Sequence, residues 1–278
     1  MSFNDKEIST QDGQPIALYF FKWGFTEWRY TSADRDVTID EIVDGEPVAK
    51  TYTAKAMSDN GMVQGTSSQN DFQITGPSDL PIVALFKGTP PSASIWLTVR
   101  RKHVGETDTP IYWKGNVTNV QKPSPAKCTI IGRPISASLK RTGLRLCWTR
   151  ECPHFVYGPG CWLNAEDHRV DAVVDTSAGN TITLETTTGY VDQYFRGGYV
   201  QWEANDDGTL EQRFIEDQQD LGVTIFGLVS GLVHGQAIGL YPGCDHIPDT
   251  CDGKFDNLPN YGGFDKMPGK TPFGTSIF

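Results

Sequence analysis

Six cysteines occur in the chain, and four of them form two close pairs. Cys152 and Cys161 bracket PHFVYGPG, with eight residues between them; Cys244 and Cys251 bracket DHIPDT, with six. Gly158-Pro159-Gly160 in the first loop and Pro248 in the second are turn formers. Each loop can therefore fold its two thiolates toward one centre and leave backbone N–H groups free to point at sulfur. Thiolate quartets suit zinc or iron–sulfur clusters, because soft sulfur ligands favour those centres. Structural zinc sites commonly use spacings of about two to four residues, and a cubane cluster, being wider than one ion, accepts longer loops. The competing reading is four buried free thiols acting as small hydrophobes. Cys128, at the start of a strand, and Cys147, between Leu146 and Trp148, are read as core packing.

Around these thiols, His154 lies two residues after Cys152 and His246 two after Cys244. Either ring could donate an N–H to cluster sulfur, although capping of its own turn is the preferred reading. His103, His168 and His234 show no partner pattern. No Ser/His/Asp arrangement, phosphate-cradling glycine loop or HExxH helix is present, so the chain is read as a non-enzyme.

Strands must carry these loops. Ile16–Lys22, Glu27–Ser32, Asp71–Thr75, Ile82–Lys87, Ser94–Arg101 and Ile111–Gln121 alternate or run apolar at strand length. After an irregular basic crossing, Ala172–Asp175, Thr181–Glu185, Tyr199–Glu203, Gln212–Asp217 and Val223–Leu228 do the same. Ala178-Gly179-Asn180 and Asn205-Asp206-Asp207-Gly208 read as the turns between strands, the latter as a hairpin. The expectation is a mainly β protein of two barrel- or sandwich-like modules, 1–127 and 128–278. The second carries a loop-rich cysteine region. Gln121–Lys127 is read as a linker or a hairpin loop, and the tail from Asn257 as loop. The seven tryptophans are read as core or interface anchors.

With 278 residues, 38% hydrophobic and 21% charged, the chain is neither disordered nor membrane-like in composition. Its formal net charge of -10 disfavours tight nucleic-acid binding but would suit a lumen through which DNA slides without sticking. The N-terminus lacks the basic and apolar regions of a signal peptide. The most apolar stretch, Val223–Leu240, is broken by glycines, Ser230, His234 and Gln236, so it reads as buried strands and turns rather than a membrane span. Synthesis in a reducing cytoplasm follows, and there cysteines favour metal over disulfides.

Two motifs carry a resemblance. Arg150–Cys161, RECPHFVYGPGC, resembles a phage and prophage family with a CPH-x-x-YG-x-x-C core. The second motif, Gly243–Gly269, resembles the same family through Cys244, Asp245, Thr250, Cys251, Lys254, Phe255, Asn257, Asn260, Gly263, Phe264 and Met267-Pro268-Gly269. That family includes the hubs of gene transfer agents and related siphophage baseplates. The cysteine spacing is also similar to that of the minor tail protein L of lambda-like phages, which carries a [4Fe–4S] cluster. Trp28–Asp34 (WRYTSAD) and Tyr112–Gly115 (YWKG) resemble further, looser motifs. The resemblance implies a structural tail-tip protein in the virion tail, made in a bacterial host. It implies a [4Fe–4S] cluster on Cys152, Cys161, Cys244 and Cys251, with zinc as the alternative. It also implies a ring-shaped homo-oligomer, a trimer, joining the tail tube to tip or fibre proteins. The competing classes are a redox or zinc-binding protein and a tail-associated cell-wall hydrolase.

Overall fold

The computed structural model describes residues 15–43, 45–62, 71–140, 143, 146–186, 188–205, 207–229 and 231–267. The N-terminal segment read for targeting, Asp206, Ser230 and the tail motif's Pro268 and Gly269 lie outside the described residues. The chain divides into two compact units, one of Met1–Arg141 with Asn205–Thr209 and one of Thr142–Ala204 with Leu210–Phe278. Both are built mainly of strands, as the alternating segments predict.

Among the described residues the first unit contains nine strands: β1 (Pro15–Trp23), β2 (Thr26–Thr31), β3 (Val37–Val43), β4 (Glu46–Ala54), β5 (Ser58–Asp59), β6 (Phe72–Pro77), β7 (Ile95–His103), β8 (Ile111–Ser124) and β9 (Lys127–Pro134). They form one sheet in the order β3-β4-β2-β1-β7-β8-β9-β6-β5. The aromatic run of β1 pairs with β2 on one side and β7 on the other, and its Leu18, Tyr19 and Phe21 are fully buried. The hairpin β3–β4 escapes sequence reading because most of its side chains face solvent and only Ile39 and Tyr52 are buried. Without an apolar face there is no period to detect.

Three expectations are corrected here. Ile82–Lys87 is not a strand; Pro81–Leu85 forms a short helix, α1, burying Ile82 and Val83. Pro81 presets a helical φ at the first turn, and five residues are too few for periodicity to separate helix from strand. The module boundary at 127/128 also fails. Ser124 pairs with Lys127, so Gln121–Lys127 is the β8–β9 hairpin and not a linker, and β9 pairs along its other edge with β6. Cys128 is fully buried in β9 and its thiol donates to the Pro77 carbonyl at 3.2 Å, in keeping with core packing. Cys147, expected in a core, is instead exposed.

The second unit is a closed six-stranded barrel of β10 (Val170–Ala178), β11 (Thr181–Leu184), β12 (Tyr199–Glu203), β13 (Leu210–Gln219), β14 (Gly222–Ile225) and β15 (Ala237–Tyr241). Around the barrel the order is β10-β11-β14-β13-β12-β15. Ile182 and Leu184, Val200 and Trp202, and Val223 and Ile225 occupy alternate positions and point into the core, as the strand's period of two requires. Register shifts at Val174/Thr176 and Ile215/Asp217 mark bulges, which add the bend that closure of a small barrel needs. Phe195, on the link into β12, is fully buried among these residues.

Barrel closure brings the two cysteine loops together. The first and last barrel strands are neighbours, with Val170 opposite Leu240. The chain therefore enters β10 and leaves β15 at the same end. The Cys152–Cys161 loop precedes that entry and the Cys244–Cys251 loop follows that exit.

Candidate metal centre

The chain leaves β15 through Pro242-Gly243 and passes very close to the link into β12. A Cβ on Gly243 would lie 1.9 Å from the Arg196 carbonyl oxygen, and one on Gly198 would lie 1.9 Å from that of Tyr241. Only glycine permits such backbone approach, and it sets Cys244 directly on the barrel's rim. Asp245 then orders the turn, accepting from the Ile247 N–H at 3.2 Å and from the Thr250 hydroxyl at 2.9 Å. A second short helix, α2 (Pro248–Gly253), carries Cys251, which is buried.

The loops are stitched to each other through the groups that surround the sulfurs. The Cys152 N–H donates to the His246 carbonyl at 2.9 Å. Gly262 N–H points at Cys152 Sγ (3.4 Å) and His246 N–H at Cys244 Sγ (3.4 Å). Asn257 is buried and central. Its side-chain amide donates to the Cys161 carbonyl at 2.7 Å and approaches Cys161 Sγ at 3.6 Å, while its backbone carbonyl accepts from the Cys251 thiol at 3.3 Å. Asn260 holds the Asn257 amide in place, donating to Oδ1 at 2.7 Å. The sequence showed no chemistry in Asn257–Gly269, yet this stretch supplies three of the groups that touch cysteine sulfur. Their signal was the Asn-x-x-Asn-x-Gly spacing, which is silent without knowledge of what it faces.

Lys254 ties the helix to the barrel. Its ammonium donates to the carbonyls of Tyr194 at 2.5 Å and Gly243 at 2.6 Å and lies 4.3 Å from the Tyr194 ring centre. Burial lowers its pKa, with Cys244 and Asp245 acting in the opposite sense. Charge-assisted bonds of this kind are each worth roughly 1.5–3 kcal/mol. Lys254→Met, which keeps the aliphatic stem, is expected to destabilise the second unit by about 2–3 kcal/mol in denaturant titrations.

Aromatic rings wall the other side. Tyr199 and Tyr241 stack at 4.3 Å, and Tyr157 meets Tyr199, Tyr241 and Phe255 edge-on. The Tyr157 hydroxyl donates to the Pro242 carbonyl at 2.9 Å, and burial raises its pKa. His168, without a partner pattern in sequence, packs against the Phe255 ring at 5.3 Å.

Three observations bear on what this constellation can hold. First, the thiols lie within electrostatic reach of one another. Burial raises the Cys251 thiol to about 11, and Cys244, Cys161 and Cys152 add to the rise. Burial raises Cys244 as well, with Asp245, Cys161 and Cys152 contributing and the His246 N–H opposing. A cation placed among them would invert that repulsion and favour thiolates. Second, Nδ1 of His154 and Nδ1 of His246 are buried with no hydrogen-bond partner among the described residues. Third, Tyr157, Trp162, His246 and Asp256 all adopt positive φ, and only Gln193 and Asp220 share that conformation among the other described non-glycine residues. Such backbone costs on the order of 1–3 kcal/mol per residue and persists only where its surroundings hold it. Among the described residues, no three His, Cys, Asp or Glu side chains stand in the tight grouping that a single metal ion requires. All four expected residues are nevertheless brought to one end of the barrel, as free thiols.

Residues 193–271 match a family model described as phage conserved hypothetical protein BR0599, which covers the second cysteine loop but less than half of the chain. No curated protein matches the chain. Among solved structures, the fold is similar to that of a chain in "Virion of native gene transfer agent (GTA) particle", with a TM-score of 0.74 and 17% identity over 100% of this chain and 96% of that one. A likeness of that extent and identity establishes a shared fold, one that takes in both units from end to end.

Proposed function

We propose that the chain is a structural protein of a phage-type virion, placed at the tail tip as a hub, with its second unit stapled by a [4Fe–4S] cluster on Cys152, Cys161, Cys244 and Cys251. The observation that carries the virion reading is the fold shared over its whole length with a gene transfer agent virion chain, joined by the phage-conserved family match at 193–271. Exposed Phe155 (82%), Trp162 (79%) and Trp148 (79%) support an assembling role, because aromatic side chains left open to water beside an ordered site suit burial between subunits. A ring, a trimer by this reading, would join tube to tip or fibre proteins, and the net charge of -10 would keep passing DNA from adhering.

The cluster reading rests on the donor set. Four thiols, two N–H groups and the Asn257 amide directed at sulfur, and two unpartnered imidazole nitrogens fit a sulfur-rich centre. The long spacings within the two cysteine pairs favour the wider cubane over zinc, whose structural sites commonly use spacings of about two to four residues. When bound, such a cluster would supply cross-links between loops that have little apolar content of their own. The residues themselves do the positioning: Gly243 sets the approach, Asp245 shapes the turn, and Asn257 and Lys254 fasten the helix.

The virion reading is tested by mass spectrometry of purified particles and by cross-linking to neighbouring tail proteins. The chain should be found in particles at a fixed low copy number and joined to itself. Absence from particles would end the virion reading, and a monomer that joins no tail component would end the hub reading.

A further inference from the structure

We propose that His154 and His246 are positioning residues, a matched pair whose Nδ1–H groups each donate a hydrogen bond to sulfur of the centre held by the four cysteines; the inference rests on the cluster reading above. Both loops repeat one local pattern, Cys-x-His, at Cys152-Pro153-His154 and Cys244-Asp245-His246. In both, the same ring atom, Nδ1, is shut away from solvent and has no hydrogen-bond partner among the described residues. Buried polar atoms are nearly always satisfied, so a repeated orphan at equivalent positions points to an acceptor that the polypeptide does not supply.

The surroundings narrow what that acceptor is. The His154 ring is wedged between two glycines. A Cβ on Gly160 would stand 2.8 Å from its Cδ2, and one on Gly262 would stand 2.5 Å from its Cε1 and 3.0 Å from Nδ1. Gly160 immediately precedes Cys161, and the Gly262 N–H points at Cys152 Sγ, so the ring is wedged against backbone that adjoins one thiol and donates to another. His246 is held at the backbone, with φ of 68°. Its carbonyl accepts from Cys152 N–H at 2.9 Å and from the Tyr261 hydroxyl at 3.2 Å, and its own N–H meets Cys244 Sγ. Both residues are thus held within the cysteine loops, where sulfur of the proposed centre is the acceptor that the polypeptide lacks. A neutral imidazole in the Nδ1–H tautomer donates there, and donors to sulfur stabilise the more negative, reduced state.

The test uses the full chain, purified without oxygen, and four variants: His154→Leu, His246→Leu, His154→Asn and His246→Asn. Leu fills the space without donating, whereas the Asn amide restores an N–H near the Nδ1 position. Iron and sulfide per chain, the midpoint potential and the rate of iron release to a chelator are measured for each. The Leu variants should shift the midpoint to more negative values and release iron on the order of tenfold faster, while the Asn variants recover most of both. A measurement on wild-type protein guards against variants that misfold: with 15N-histidine, the reduced centre should show nitrogen hyperfine coupling from two imidazoles. Iron-loaded Leu variants with unchanged potential and release rate, or a reduced wild-type centre with no histidine coupling, would overturn the pairing and leave the cluster standing. Wild-type protein that takes up no iron would overturn the cluster reading and this inference with it.

Discussion

Replacing any one of Cys152, Cys161, Cys244 or Cys251 by Ser is expected to abolish iron binding and to unfold the loops that cap the barrel. The thiols sit in pairs on two loops, and these loops and the stretch after them hold one another through Asn257, His246 and Gly262. Loss of one sulfur therefore loosens all of them. Structural metal centres supply on the order of ten kcal/mol of folding free energy, far more than the hydrogen bonds that remain. The positive-φ residues Tyr157, Trp162, His246 and Asp256 would then relax, since hydrogen bonds alone would be left to hold them. The measurements are iron and sulfide per chain, visible absorption, and hydrogen exchange over 147–163 and 243–264. Cys128→Ser and Cys147→Ser serve as controls and should keep their iron, because one thiol is buried in the first unit's sheet and the other is exposed. Anaerobic protein holding one zinc and no iron would overturn the cluster while leaving the virion proposal intact.

Phe195→Ala should be nearly as damaging, by a different route. The ring is fully buried in the barrel core and meets Tyr194 and Tyr190 edge-on at 5.2 and 5.6 Å. Truncating a buried Phe costs about 3–5 kcal/mol through lost burial and the cavity left behind. That is a large share of the ~5–15 kcal/mol that stabilises an ordinary domain. The damage should also reach the thiols. Phe195 leads into Arg196-Gly197-Gly198, the backbone against which Gly243 is pressed. Chemical denaturation should show the loss of stability, and iron release should quicken although no ligand has changed. A variant with lowered stability but unaltered iron retention would show that barrel and cysteine loops are energetically separate.

The sequence by itself determined the strand-rich class, most strand positions and the four thiols. Period-two burial leaves its mark wherever one face is apolar, as in Tyr199–Glu203, where expected and observed limits coincide. Cysteine pairs bracketing turn formers are legible because their chemistry is local. What sequence could not disclose was non-local or lacked an apolar face. The β3–β4 hairpin carries too little buried surface to show a period, and α1 is too short. The reading of Gln121–Lys127 wavers between linker and hairpin because proline and polar residues serve both; the pairing of Ser124 with Lys127 decides it, and β6, about fifty residues earlier, holds the other edge of β9. The same is true of the site. Two loops separated by more than eighty residues meet only because β10 and β15 close the barrel side by side. Asn257, Lys254 and Gly262 acquire their roles from that meeting. Residue type and spacing set which atoms could bind a metal; barrel closure set that they face one another.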